Sequence, residues 1–238
     1  MDYKDSQIGH IKENFWFKAK INLVKILMLK TCHGENSLRI LNIGVGTGDD
    51  LEILNKFGKN YVIDINKDAL AIINNNLCVE KKFADARDLP YDDNFFDVAV
   101  SFDVFEHIKE EQRAINEVYR VLKQDGVLIF TVPAFQFLFS SHDKALRHHR
   151  RYNKKGLMNL LTPFNGLKIY YWNSLLFMPM AITRILKKES KPKVDQINLP
   201  FWLNIFLYGL LSIDNLLIKI NISMPIGLSI VGFCYKQT

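Results

Sequence analysis

Cysteine is scarce in this sequence, and its distribution excludes a disulfide framework. The three cysteines, Cys32, Cys78 and Cys234, lie far apart and form no Cys-x-x-Cys pair. An odd and scattered set is typical of reduced thiols, so we expect a cytoplasmic protein. The first ten residues are polar and lack the apolar core of a signal peptide, which favours the same compartment.

The sequence also lacks a nucleic-acid-binding module, although the chain is basic. Its formal net charge is +6, but the lysines are spread along the chain and no aromatic and basic RNA motif is present. We therefore expect no nucleic-acid partner. An anionic substrate, or the anionic face of a membrane, accounts for the charge equally well.

The chain is organised around residues 38–64, which predict a strand, a glycine turn, a short helix and a second strand. Gly44, Gly46 and Gly48 stand at alternate positions after the first apolar run, and Asp64 ends the second. Glycines let the backbone turn sharply and leave room for a ligand against the main chain. An acid at the end of the second strand is placed to accept hydrogen bonds from both hydroxyls of a ribose.

The spacing of the glycines separates two classes of cofactor. A dinucleotide fingerprint has its third glycine three residues after the second, where the pyrophosphate meets the helix. Here Asp49 occupies that place and Asp50 follows it. Two carboxylates would repel a pyrophosphate, whereas a cofactor that carries an ammonium and a sulfonium would not be repelled.

The run Gly44-Val45-Gly46-Thr47-Gly48 resembles motif I of the class I S-adenosylmethionine-dependent methyltransferases. The sequence of residues 88–108, DLPYDDNFFDVAVSFDVFEHI, and RVLKQDGVLIFTVP at residues 120–133 resemble further blocks of that family. The resemblance implies S-adenosylmethionine as cofactor. The residues that it implies for cofactor binding are Asn42, Gly44, Val45, Gly46, Gly48, Asp64, Ile65, Asp85, Ala86 and Phe102.

The resemblance also implies a role for individual residues. Asp85 would accept from the adenine amino group, Ala86 would offer its backbone N–H to the ring, and Phe102 would lie against the methionine part. Many relatives have an acid where this chain has Asn42, so we expect Asp49 or Asp50 to supply that charge. His107 is expected to hold its loop by hydrogen bonds, and a role as catalytic base is the alternative.

Strands that alternate with helices over residues 39–132 predict an α/β, Rossmann-like, doubly wound sheet. We expect seven strands, mostly parallel, with the last strand antiparallel, and a helical cap. The whole chain, 1–238, is expected to be a single methyltransferase domain. Its expected parts are an N-terminal helical lid at 1–37, a core sheet at 38–173 and 228–238, and a helical insertion or cap at 174–227.

An amphipathic helix is predicted over residues 10–29, with lysines on the side away from the core. Its cluster Phe15-Trp16-Phe17 is more aromatic than one core-facing stripe requires. Two interpretations remain open at this point. The cluster packs in the core, or it forms a lid over the cofactor.

The loop after residue 133 crowds polar and basic groups together. Its pattern HD-x-x-x-x-H-x-RRY, with the FWF helix and Pro225-Ile226-Gly227-Leu228-Ser229, resembles a subgroup of the type 11 methyltransferases. Arginines suit a phosphate or carboxylate on a substrate, and an imidazole titrates near working pH. The predicted catalytic residues are His142, His148 and Asp143, and the predicted substrate residues are Arg150, Arg151 and Tyr152. An ionic latch between loop and domain is the alternative, and no metal site is predicted.

The segment between the last two predicted strands is long and apolar. A helix over residues 201–220 has only a narrow polar stripe, and it is too interrupted by polar residues to be predicted to span a bilayer. It is expected either to cap the sheet and line a substrate pocket or to lie in the membrane interface. Internal packing is the first expectation.

These features together predict O-methylation of an amphiphilic or anionic acceptor, such as a lipid-linked glycan or an isoprenoid. A small-metabolite methyltransferase and a non-catalytic S-adenosylmethionine-binding module are the alternatives. The expected partners are a small-molecule or lipid-linked acceptor and, peripherally, the inner face of the membrane.

Overall fold

The computed structural model describes residues 14–32, 35, 37–186, 188 and 199–237. The helices are α1 (Phe15–Thr31), α2 (Leu51–Leu54), α3 (Lys67–Ile72), α4 (Glu111–Val121), α5 (Ser141–Ala145), α6 (Lys154–Leu160), α7 (Phe177–Leu186) and α8 (Phe201–Lys219). The strands are β1 (Leu38–Ile43), β2 (Gly58–Asp64), β3 (Glu80–Phe83), β4 (Phe96–Phe102), β5 (Leu122–Pro133), β6 (Phe164–Trp172) and β7 (Ser229–Lys236).

The seven strands form one sheet in the order β3-β2-β1-β4-β5-β7-β6. The pairs among β1 to β5 are parallel, whereas β7 pairs antiparallel with both β5 and β6. The predicted fold class is therefore confirmed. The parallel strands carry almost continuous apolar runs because both faces of the sheet are covered.

Two hydrophobic cores lie on opposite faces of this sheet. On one face, α4 and α6 pack against side chains such as Leu128 and Phe130. On the other face, α1, α2 and α8 pack against Val100 and Ile129. The chain order reverses between β1 and β4, and the carboxyl ends of these two strands form the crevice in which such sheets bind ligands.

Helix α8 packs only in part as the sequence predicted. Its polar side chains face the protein, with Asp214 and Asn215 buried, while the rings of Phe201, Trp202 and Phe206 are largely exposed. Leu211 and Ile218 do pack in the core, so α8 covers the sheet, but its exposed side is apolar as well, and the lining of a substrate pocket stays a prediction. The polar side chains face the protein because the neighbouring elements offer α8 backbone groups and an indole N–H, which need polar partners.

The prediction that residues 201–220 are too interrupted to span a bilayer also needs correction. In the part of the chain that the structure describes, α8 is the one helix whose length and composition would suffice for a membrane span. Three other expectations fall partly outside the described residues. They are the first helix at 10–29, the N-terminal lid at 1–37 and the insertion at 174–227.

Candidate active site

The glycine loop after β1 forms the floor of the candidate site. Gly44, Gly46 and Gly48 all adopt positive φ angles of 68°, 52° and 69°. A Cβ atom at Gly44 would lie 2.6 Å from a methyl carbon of Val104, so the loop could not hold a larger residue in this conformation. The loop therefore needs glycine for its backbone shape and for its close approach to the turn after β4.

Asp64 stands at the carboxyl end of β2, as predicted, and it orders the loop. Its carboxylate accepts hydrogen bonds from the backbone nitrogens of Gly46 at 3.1 Å and Asn66 at 2.8 Å. A carboxylate has about four acceptor positions, so two remain for the hydroxyls of a ribose. Ile65 beside it is 70% exposed, which leaves an apolar surface for a flat ring at this edge.

The predicted adenine contact, Asp85, already has a strong internal partner. The guanidinium of Arg87 donates to both of its carboxylate oxygens, at 2.7 to 3.1 Å. Hydrogen bonding from Arg87 lowers the pKa of Asp85. An adenine amino group would therefore share this carboxylate with Arg87, while the neighbouring Ala86 is buried against the core.

A small cavity of about 50 Å³ opens between the glycine loop and α1. Among its lining residues are Asn42, Val45 and Phe102 from the sheet side and Trp16 and Phe17 from α1. Helix α1 thus belongs to the core and also forms a wall of the site. Both interpretations of the aromatic cluster therefore describe part of what α1 does, although closure over a cofactor stays a prediction.

Asn42 and Asp50 form a pair in the wall of this cavity. The side-chain amide of Asn42 donates to the carboxylate of Asp50 at 3.0 Å. Burial raises the pKa of Asp50, and the nearby charge of Lys20 opposes that effect. The acid that relatives have at position 42 is thus found eight residues later here. A cationic group in the cavity would favour its ionised form.

Lys20 is the site residue that the sequence did not reveal. The sequence placed the lysines of the first helix away from the core, but Lys20 is only 12% exposed and lines the cavity. Its ammonium lies 2.6 Å from Asp103 and over the rings of Trp16 and Phe102, at 4.9 and 5.9 Å from their centres. The i, i+4 spacing of Trp16 and Lys20 is the only signal in the sequence that places them on one face.

A second group of side chains lies just after β4. Donor atoms of Glu106, His107 and His148 all lie within 4.8 Å of one another, and the two imidazole rings are 4.6 Å apart. No other described residue donates a hydrogen bond to either carboxylate oxygen of the fully buried Glu106. Burial, together with the charge of Asp103, raises the pKa of Glu106 well above its usual range.

These three residues are the one group among the described residues whose donor atoms would suit a metal ion. The sequence predicted no metal, and that stays a prediction. The same group would equally suit contact with an acceptor, because it combines a buried carboxyl with two imidazoles beside the turn that follows Phe102.

Asp143, predicted to be catalytic, is the centre of a buried ionic network. It is fully buried, and it accepts from Arg151 at 2.8 and 3.1 Å and from the Nδ1 of His148 at 3.0 Å. Burial opposes its ionisation, but the bonds from His148 and Arg151 hold the pKa of Asp143 below its ordinary range. A carboxylate held in this way is a poor base but is placed to orient His148, and its role in catalysis stays a prediction.

The predicted substrate residues are also engaged within the protein. Arg151 is buried against Asp143 and the carbonyl of Ala134, and it cannot meet a substrate without breaking that pair. Tyr152 is buried and donates to the carboxylate of Glu111. Arg151 and Tyr152 are therefore engaged as an ionic latch would engage them, and their role at a substrate stays a prediction.

Arg150 and His142 differ from these buried residues. Arg150 is partly exposed and pairs with Glu111 at 2.6 Å, so its role at a substrate stays a prediction. His142 lies on α5, next to the buried Asp143, and its catalytic role likewise stays a prediction. His148 is brought to Glu106 and His107, which makes it the better placed of the two histidines.

Comparison with known proteins agrees with this geometry. Residues 41–130 match a family described as "Methyltransferase domain". An uncharacterised protein of Methanocaldococcus jannaschii, MJ1252, is 42% identical over 94 residues, which are 39% of this chain and 36% of that protein. The ubiquinone/menaquinone biosynthesis C-methyltransferase UbiE of Neisseria meningitidis is 31% identical over 44% of this chain and 46% of its own length. The match therefore spans less than half of either relative.

The fold is shared with solved structures over most of the chain. An S-adenosylmethionine-dependent methyltransferase from Archaeoglobus fulgidus superposes with a TM-score of 0.57 at 18% identity, covering 91% of this chain and 94% of that one. The sheet order and glycine loop define a class I methyltransferase fold. Residues 41–130 accordingly resemble a methyltransferase domain in sequence, and S-adenosylmethionine is the cofactor that this resemblance implies.

The site fits this cofactor by its own geometry. The glycine cradle would be blocked by a Cβ atom at position 44, and Asp64 keeps free acceptor positions beside an exposed apolar side chain. The cavity wall carries carboxylates at Asp49 and Asp50, which suit a cationic methionine part and would oppose a pyrophosphate.

Proposed function

We propose that this protein transfers a methyl group from S-adenosylmethionine to an oxygen of an amphiphilic or anionic acceptor, such as a lipid-linked glycan or an isoprenoid. The observation that carries the proposal is the position of His148. The carboxylate of Asp143 orients this histidine, which lies beside the buried Glu106. Glu106 belongs to the turn after β4, and Phe102, the last residue of β4, lines the cofactor cavity.

The residues of this chain would place the acceptor and remove its proton. When bound, S-adenosylmethionine supplies an electrophilic methyl group on a sulfonium. Because the ionised Asp143 can only accept the hydrogen bond, Nδ1 of His148 would donate it, and Nε2 would be left to accept a proton. The acceptor hydroxyl would give its proton to Nε2 as its oxygen takes the methyl group, while the bond from that methyl group to the sulfonium breaks and its electron pair stays on the sulfur.

Lys20, Trp16 and Phe102 would exclude water from the reacting atoms. Lys20 and Trp16 enclose the cavity on the side of α1 and Phe102 encloses it on the side of the sheet, and an in-line transfer depends on the reactants being held in contact. Glu106 would contact the acceptor from the buried side. Its raised pKa favours the neutral form, which can donate a hydrogen bond.

A carbon acceptor is the second candidate, and it is favoured by one comparison. The UbiE relative bears the name of a C-methyltransferase of ubiquinone and menaquinone biosynthesis. The two candidates differ in their products. An O-methyl group and a C-methyl group have distinct proton chemical shifts and distinct stability to acid.

The test is transfer of radiolabelled methyl from S-adenosylmethionine into extracts of the source cells, separated into lipid and aqueous fractions. We expect label in the lipid fraction with the wild type. His148→Ala should lower the turnover by about 100-fold or more, because a positioned base contributes that much. His142→Ala is the matched variant, since it removes an imidazole from the same loop.

Affinity for S-adenosylhomocysteine should stay nearly unchanged in both histidine variants. Label in the aqueous fraction alone would point to a small metabolite as the acceptor. Tight cofactor binding without transfer to any fraction would favour a non-catalytic binding module. If His148→Ala transfers at the wild-type rate, the base assignment is wrong.

A further inference from the structure

Helix α8 is attached to the protein by polar side chains and by the buried Leu211 and Ile218. The side chain of Asn204 accepts from the backbone of Phe15 at 2.8 Å. The side chain of Asn215 accepts from the indole of Trp172 and donates to the carbonyl of Ala19, both at 2.9 Å. These bonds fix the rotation of α8 about its own axis, and the opposite side of the helix must therefore face away from the domain.

The outward side of α8 is entirely apolar for most of its length. Residues at helical spacing form this stripe, and all of them are exposed: Phe201, Trp202, Ile205, Phe206, Gly209, Ile213 and Leu216. A surface helix of a globular domain normally shows the reverse arrangement, with its polar residues outward. Exposed aromatic and aliphatic side chains in one continuous stripe mark an interaction surface.

Helix α7 repeats the same inversion. Its one basic residue, Arg184, reaches inward to Ser140 and Asp143, both at 3.4 Å. Met178, Ile182 and Leu186 lie on its outer side and are 53 to 80% exposed. Both helices thus direct a charged side chain into the protein and expose several large apolar side chains, which internal packing alone does not explain.

The attachment of α8 also decides how it would meet a bilayer. A helix that spans a bilayer must present apolar side chains to the lipid on every side that does not pack against another membrane helix. Here Asp214 and Asn215 are buried against the domain, and Asp214 accepts from the backbone of Ser174 at 2.6 Å. Crossing the membrane would break these bonds, so α8 is suited to lie in the plane of the interface with one side in the lipid.

The net positive charge of the sequence between α7 and α8 favours an anionic membrane as the partner. The sequence that joins α7 to α8 contains four lysines, Lys187, Lys188, Lys191 and Lys193, against Glu189 and Asp195, and the whole chain carries +6. Basic residues beside an interfacial helix are attracted to anionic headgroups. Trp202 and Phe201 begin α8, and aromatic rings favour the headgroup level.

We propose that the exposed apolar sides of α7 and α8 form a membrane-docking face that inserts into the interface of an anionic bilayer. The docking face consists of Met178, Ile182, Leu186, Phe201, Trp202, Ile205, Phe206, Ile213 and Leu216. This inference is independent of the methyl transfer proposed above. It would, however, bring the active site next to acceptors that reside in the membrane.

The test is co-sedimentation of the full-length protein with vesicles of phosphatidylcholine alone and of phosphatidylcholine with phosphatidylglycerol. The wild type should bind the anionic vesicles, more weakly at high salt. The double variant Trp202→Ser with Phe206→Ser should bind at least about tenfold more weakly, because two large apolar groups no longer leave water. The matched control is Val79→Ser with Met158→Ser, which changes side chains that are 58 and 60% exposed elsewhere.

Vesicles of brominated lipid provide a second measurement. Bromine quenches only tryptophans that lie in the lipid, and Trp202 is 69% exposed whereas Trp172 is 1% exposed. Quenching should be seen in the wild type and should disappear in Trp202→Phe. Absence of vesicle binding at every salt concentration would overturn the proposal, as would equal binding by the double variant. A wild-type dimer that dissociates in the double variant, without vesicle binding, would show that the face contacts a second copy instead.

Discussion

The ammonium of Lys20 lies 2.6 Å from a carboxylate oxygen of Asp103, and this ion pair connects α1 to the turn after β4. Both side chains are largely shielded, at 12 and 21% exposure, and Asp103 adopts a positive φ of 59°. A non-glycine residue in that region of backbone space is held there by its surroundings. The pair thus holds together the two sides of the cofactor cavity.

Lys20→Met should lower the free energy of unfolding by about 2 to 3 kcal/mol at neutral pH. Burial opposes ionisation of Asp103, but Lys20 lowers the pKa of this carboxyl to about 2, below its value of about 3.9 in the unfolded chain. A depressed pKa contributes stability above the unfolded value, and this contribution is lost as the pH falls through about 2. The difference between wild type and variant should therefore shrink as the pH is lowered from neutrality, in urea unfolding followed by circular dichroism.

Lys18→Met is the matched control, because Lys18 is an exposed lysine on the same helix. It should change the unfolding free energy by less than about 0.5 kcal/mol. Equal losses in the two variants, or a loss that does not depend on pH, would mean that the pair contributes no specific stability.

Glu106→Gln should make the protein more stable at alkaline pH. Burial and Asp103 raise the pKa of Glu106, so the folded protein keeps this proton over a pH range in which the unfolded chain has lost it. Wild-type stability should therefore fall as the pH rises above the unfolded value of about 4.3, up to the raised pKa. The amide keeps the shape of the neutral acid and does not titrate.

The measurement is the midpoint of thermal unfolding of both proteins between pH 4 and pH 9. We expect the two midpoints to diverge in favour of the variant as the pH increases. Parallel curves would show that Glu106 is not neutral in the folded protein.

Asp143→Ala should destabilise the protein by about 3 to 5 kcal/mol, because it leaves the buried Arg151 without its carboxylate. Arg150→Ala is the matched control, because Arg150 is the neighbour of Arg151 in the chain but is partly exposed and pairs with Glu111. It should lower the free energy of unfolding by about 1 kcal/mol or less. Chemical unfolding of the two variants separates these cases. Similar costs would contradict the description of Asp143 as the buried centre of the loop.

Most of the fold was predictable because it depends on local patterns. Apolar runs bounded by turn residues indicated the strands of the sheet, and the glycine loop and Asp64 lie where the sequence placed them. The sequence did not show the contacts of side chains whose partners come from distant parts of the fold. Arginine in a polar loop suggests a substrate contact, and only the fold shows that Arg151 is buried against Asp143.

The orientation of α8 shows the same limit for a whole element. Its narrow polar stripe was visible in the sequence, but periodicity does not tell which side of a helix meets the protein. That choice depends on Trp172 and Ala19, which are distant in the chain and supply a donor and an acceptor for Asn215. Lys20 was missed for a similar reason, since its partner Asp103 is 83 residues away.

The central claim is that this chain binds S-adenosylmethionine through the glycine loop and Asp64. Isothermal titration calorimetry with S-adenosylhomocysteine tests it most directly, on the wild type, on Asp64→Ala and on the control Asp68→Ala. Asp68 is an exposed acid at the start of α3, four residues from Asp64. We expect binding by the wild type and the control, and about 100-fold weaker binding by Asp64→Ala, because two hydrogen bonds to a charged group are lost. No binding by the wild type, or tight binding of NAD in its place, would contradict the account.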